Sequence, residues 1–154
     1  MNAKRWSLET LLQRGTRLVI DSNVLIYLLE GGGPRAETAA AIVDAVADGT
    51  VEGTFAALGL TEVLTGPARA GDGARFERAA DELRDLGLQI RPLDAEIAVE
   101  AAWLRGSRGI EVMDGIHVAT ARAAGATVFV TNDRRIRSDA TLEVVYLDDL
   151  AAPG

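Results

Sequence analysis

The apolar positions of the chain fall into two alternating kinds of run. Short blocks rich in β-branched and apolar residues read as five strands: RLVID at 17–21, VEGTFAAL at 51–58, LQIRPL at 88–93, ATVFVTND at 126–133 and LEVVYL at 142–147. Between them lie longer stretches with helical spacing. SNVLIYLLE (22–30) is stopped by three glycines, and GGGPR (31–35) reads as a turn. RAETAAAIVDAVADG (35–49) is an alanine-rich helix. GLTEVLTGPARAG (59–71) predicts a short helix broken near Pro67, and DGARFERAADELRDLG (72–87) another, stopped by Gly87. DAEIAVEAAWLRGSRG (94–109) is capped by Asp94, and a helix opens around Asp114 in IEVMDGIHVATARAAG (110–125). At the N-terminus, Trp6, Leu8, Leu11 and Leu12 predict a short amphipathic helix capped by Ser7 and ended at Gly15, so residues 1–15 form a helical extension to a domain over 16–150.

Strands that alternate with helices, and are apolar nearly throughout, are strands covered on both faces. The expected fold is α/β, with a mainly parallel sheet and right-handed crossovers. Ligands of such sheets gather outside the carboxyl ends of the strands. Asp21 and Asp133 both lie there, each just after an apolar strand. Trp103 is expected in the core, and Asp44, Asp48, Asp81, Asp85 and Glu96 on solvated helix faces.

The 154 residues suit one domain, and 48% of them are hydrophobic, enough for a core. No apolar run reaches membrane-spanning length, and the N-terminus lacks the apolar stretch of a signal peptide, so the expected compartment is the cytoplasm. The chain has no cysteine, which removes disulfides and thiolate metal sites. A net charge of −7 argues against a general nucleic-acid coat protein but not against an enzyme whose clustered acids are neutralised by a cation. His117 is the single histidine and Lys4 the single lysine. This excludes a two-histidine nuclease, a multi-histidine zinc site and a P-loop NTPase.

Four acids then stand out: Asp21, Glu62, Asp114 and Asp133. Taken singly, each has an ordinary explanation: Asp21 and Asp114 as helix caps, Asp133 as an Asx-turn, Glu62 as a solvated glutamate. Jointly they read differently, because short connections bring all four to one edge of the sheet. Carboxylates so gathered repel unless a cation sits among them, and an all-oxygen set selects a hard ion, magnesium or manganese.

The motifs around these acids resemble the PIN domain, the nuclease domain of VapC-type bacterial toxins. They are Asp21-Ser22-Asn23-Val24-Leu25-Ile26 after the first strand, Thr61-Glu62-Val63-Leu64 on a helix, Asp114-Gly115-Ile116-His117-Val118-Ala119-Thr120-Ala121, and Thr131-Asn132-Asp133 after a later strand. The likeness runs from about Leu18 to Leu147; some twenty residues precede the first acid, more than is usual in the family. It implies a three-layer αβα sandwich around a five-stranded parallel sheet. It also implies a magnesium- or manganese-dependent endoribonuclease that hydrolyses RNA with a metal-activated water, as the toxin of a type II toxin–antitoxin pair. Asp21 and Asp114 would be the core ligands, completed by Glu62 and Asp133 and supported by Ser22, Asn23, Thr131 and Asn132. A VapB-type antitoxin and a homodimer are the implied partners. Arg134, Arg135 and Arg137 are the local candidates for RNA phosphates. His117 reads as a packing residue. Rival readings are a magnesium-dependent phosphatase or phosphotransferase, and a non-catalytic PIN-like binding module.

Overall fold

The computed structural model describes residues 6–150. The first five residues of the proposed extension, Lys4 among them, lie outside the described residues. The five strands are β1 (Arg17–Ile20), β2 (Glu52–Ala56), β3 (Gln89–Arg91), β4 (Val128–Thr131) and β5 (Glu143–Tyr146). They form one all-parallel sheet in the order β3-β2-β1-β4-β5. The chain builds outward from β1 to β2 and β3, then returns to add β4 on the other side. The gap between β1 and β4 is therefore the point at which the winding reverses.

Alternate side chains of β1, β4 and β5 enter different cores. Leu18, Ile20, Val128 and Val130 join a cluster with Leu25, Ile42 and Phe55; Val19 and Phe129 join a second with Ile97, Leu104 and Ile116. The first is covered by α2 (Ser22–Glu30), α3 (Gly33–Ala47), α4 (Ala57–Arg69) and α5 (Gly73–Arg84), the second by α6 (Ala95–Arg108) and α7 (Val112–Ala123). This two-faced burial explains the unbroken apolar strands. The short helix α1 (Leu8–Leu11), with Ser7 and Thr10 in a capping box, places Leu11 fully inside the first core.

Three sequence expectations are corrected. Trp103 is not in the core; it is 69% exposed on the outer face of α6, because the face that turns inward carries Ile97, Ala101 and Leu104. Helix α4 is not broken at Pro67 but continues through it to Arg69. The GGGPR turn is confined to its first residues, since α3 already starts at Gly33 with Pro34 in its first turn, where the missing N–H costs nothing.

Helix α4 starts directly from β2 with no intervening loop, and Gly59 lets it do so. A Cβ at Gly59 would stand 2.2 Å from Cζ of the buried Phe55. Gly59→Ala must therefore displace either the ring or the helix that carries Glu62. The expected result is a loss of about 1–3 kcal/mol, typical of overpacking a tight core, despite alanine's better helix propensity. Thermal unfolding measures it; an unchanged or raised melting temperature would show that the ring yields freely.

Candidate metal centre

The topology brings the four acids to the carboxyl edge of the sheet. Asp21 is the residue after β1, and its N–H donates to the carbonyl of Val130 on β4 at 2.8 Å. Asp133 comes two residues after β4. Helix α7 leads back into β4, so its N-terminal turn, with Asp114 as third residue, lies at the carboxyl edge of the sheet. Glu62 comes from α4, which leaves the carboxyl end of β2.

Asp21 is buried and held from several sides. Its Oδ1 accepts from the Ser22 N–H at 2.7 Å, so it does cap α2, and its Oδ2 accepts from the Thr131 hydroxyl at 2.7 Å. The Ser22 hydroxyl and the Asn23 amide add longer bonds of 3.4 Å. Asn23 Nδ2 also reaches Thr131 Oγ1, and its Oδ1 accepts from the Asn132 N–H. Asn132 in turn joins Tyr27 and the Asp148 N–H. Ser22, Asn23, Thr131 and Asn132 thus stitch the β1–α2 and β4 turns together around one carboxylate.

Asp114 does not cap its helix; Glu111 holds the cap position, and Asp114 has no side-chain hydrogen bond among the described residues. Burial, followed by the charges of Asp21 and Asp133, pushes its carboxyl up to about 6, against opposing pulls from Arg135 and His117. Asp133 forms an Asx-turn, its Oδ1 accepting from the Arg135 N–H at 2.9 Å. It is also gripped by the Arg135 guanidinium at 2.7–3.2 Å. That hydrogen bonding, opposed by burial, keeps Asp133 below the usual carboxylate range. Glu62 is only partly exposed, and its Oε1 lies 2.6 Å from His117 Nε2. That nitrogen also stands 3.7 Å from Asp21 Oδ1. Burial works to lower the His117 pKa, but the bond to Glu62 and the charges of Asp21, Glu62 and Asp114 outweigh it and raise it.

The structure therefore brings Asp21, Asp114 and Asp133 within electrostatic reach of one another and links Glu62 to them through His117. Sequence reasoning had given His117 to packing; its signal was its place one turn after Asp114 on α7. The arginines behave differently from one another. Arg134 pairs with Asp149 at 2.8–3.0 Å and lies over the Tyr146 ring, Arg135 is on Asp133, and the exposed Arg137 has no ion-pair partner among the described residues.

A model of the PIN domain family matches residues 18–140. The chain belongs to the PIN domain family. Comparison with curated protein sequences finds no match. Among solved structures, this PIN domain is similar to FitAcB from Neisseria gonorrhoeae, with 21% identity and a TM-score of 0.64 over 86% of this chain and 99% of that one. It is also similar to VapBC2 from Rickettsia felis bound to a promoter DNA fragment, with 16% identity and a TM-score of 0.64 over 85% and 98%. A third is the Mycobacterium tuberculosis VapC20, described as a toxin that cleaves the sarcin–ricin loop, with 19% identity and a TM-score of 0.56 over 73% and 86%. At these identities the likeness is one of fold.

The donor set fits a hard divalent cation. All four acids offer oxygen, and the half-buried Asp114 carries the strain of two like charges that a cation would relieve. Among the described residues, no three of the acids and the histidine already stand close enough together to hold an ion. Both oxygens of Asp133 are engaged by Arg135, and Oε1 of Glu62 by His117.

Proposed function

We propose that this PIN domain is a magnesium- or manganese-dependent endoribonuclease, the toxin of a type II toxin–antitoxin pair. The observation that carries the reading is the electrostatic coupling of Asp114 to Asp21 and Asp133 at the carboxyl edge of the sheet, where the winding reverses between β1 and β4. Asp21 and Asp114 would hold the cation, with Glu62 and Asp133 completing its surroundings. When bound, the cation supplies an activated water and stabilises charge on the phosphodiester. The remaining work belongs to the chain. Ser22, Asn23 and Thr131 fix Asp21, Asn132 ties the β4 turn to α2, and Arg137, with no acid partner among the described residues, is available to an RNA phosphate. Arg134 and Arg135 could bind phosphate only by leaving Asp149 and Asp133.

Support for the biological setting comes from the structural neighbours: the Rickettsia felis neighbour is VapBC2 bound to a fragment of its promoter DNA, and the Mycobacterium tuberculosis neighbour is a toxin that cleaves the sarcin–ricin loop. By that analogy the partner is a VapB-type antitoxin, the active form a homodimer, and the place of action the cytoplasm. Among the described residues, no helix is long and apolar enough to cross a membrane. The purified protein is expected to cut RNA internally with magnesium or manganese and to stop in excess chelator. Undiminished cleavage in chelator would remove the metal from the mechanism. Release of inorganic phosphate from small esters, with RNA left intact, would make it a phosphatase instead.

A further inference from the structure

His117 is fully buried on α7, and its ring sits between Phe55 of β2 and Phe129 of β4, with centroids 6.3 and 6.5 Å away. If it served packing alone, it would be a poor choice. Its Nδ1 is buried and has no hydrogen-bond partner among the described residues. An unsatisfied buried polar atom costs about 1–3 kcal/mol, and leucine would fill a similar volume without it. What leucine lacks is a directed polar atom at the position of Nε2. That atom points into the acid cluster, 2.6 Å from Glu62 Oε1 and 3.7 Å from Asp21 Oδ1.

Glu62 needs such a tether more than the aspartates do. Asp21 is fixed by Ser22 and Thr131, and Asp133 by its Asx-turn. Glu62 has a longer side chain, 26% exposed, and His117 is that side chain's only hydrogen-bond partner among the described residues. Free glutamate side chains sample several rotamers, and ordering one costs about 1–2 kcal/mol in entropy. We propose that His117 is a positioning residue: its Nε2–H holds Glu62 by Oε1 against the aspartates, so that Glu62 meets the cation from a fixed place. The role rests on the metal-dependent reading of the cluster. It explains why a histidine, with one nitrogen left unpaired, occupies a site where an aliphatic residue would pack.

The test uses four variants: His117→Leu, His117→Gln, Glu62→Gln, and His117→Leu with Glu62→Gln. Manganese affinity is read by titration, RNA cleavage by gel, folding by thermal unfolding without metal, and the imidazole by NMR, where the single histidine gives an unambiguous signal. His117→Leu should melt close to the parent or above it, yet lose about 10- to 100-fold in manganese affinity, the usual effect of removing a residue that orients a metal's surroundings. Glu62→Gln should lose a similar factor. The double variant should be no worse than the worse single one, because one residue acts through the other. His117→Gln, whose amide N–H is placed near the position of Nε2, should recover most of the loss. Glu62→Gln should also move the imidazole signals of the metal-free protein.

Losses that multiply in the double variant would overturn the inference, as would His117→Leu binding manganese within about twofold of the parent. Imidazole signals unmoved by Glu62→Gln would overturn it even if His117→Leu did not fold. A parent that neither takes up manganese nor cleaves RNA would instead sink the proposed function, while the metal-free NMR comparison would still report on the tether.

Discussion

Asp114→Asn should abolish manganese uptake and RNA cleavage together, and the metal-free protein should become more stable at neutral pH. Asp114 is the acid with the least support: it caps nothing and has no side-chain hydrogen bond among the described residues. Its cost to the fold is electrostatic. Its carboxyl moves from 3.8 to about 6, first by burial and then by Asp21 and Asp133. A carboxyl whose folded pKa is raised favours the folded state in its protonated form. The contribution is full below about 4 and is lost as pH rises through about 6. Metal-free parent should therefore lose stability between pH 4 and 6, and Asp114→Asn should flatten that decline. After allowance for solvent screening at a half-buried site, the gain at pH 7 is on the order of 1 kcal/mol. Thermal unfolding across pH, with manganese titration on the same samples, measures both effects. A variant that still binds manganese, or unfolds with the parent's pH profile, would contradict this account of Asp114.

At Asp21 the same substitution should destroy activity at a different cost. Asparagine caps a helix about as well as aspartate, so the bond from the Ser22 N–H survives. With sequence alone, removal of one charge from a repelling cluster predicts unchanged or greater stability. The geometry reverses that. Thr131 Oγ1 already accepts from Asn23 Nδ2 and the Asp133 N–H, and donates to Asp21 Oδ2. An amide nitrogen in place of Oδ2 leaves that buried hydroxyl without its acceptor, at about 1–2 kcal/mol. Asp21→Asn should thus lose manganese binding and cleavage as Asp114→Asn does, but should melt below the parent in metal-free buffer. If it cleaves RNA within a few-fold of the parent, Asp21 is a cap and nothing more.

These two residues also separate what was legible in the sequence from what was not. The alternation of short apolar blocks with helical runs determined an α/β fold with a buried parallel sheet, because period and length are written locally. The placement of Asp21 and Asp133 just past strand ends determined at which edge of the sheet these acids lie. Helix starts at Ser7 and Asp94 were equally readable, since caps depend on adjacent residues, whereas α5 ends at Arg84, before the Gly87 expected to stop it.

What only the tertiary structure decided was how side chains far apart in sequence share protons and charge. Glu62 and His117 are 55 residues apart, and nothing local to either marks the bond between them. Arg135 looked like a free cation in sequence and is a clamp on Asp133 in space. Trp103 sits in an apolar-looking helix but points outward, since the rotation of α6 is set by the packing of Ile97, Ala101 and Leu104 against the sheet and α7. Helix α4 continues through Pro67 to Arg69 despite the backbone bond that proline removes. Local pattern thus determined the elements and the edge at which the acids meet. The partners of each acid depended on three-dimensional packing, because hydrogen bonds and charge act through distance in space and not along the chain.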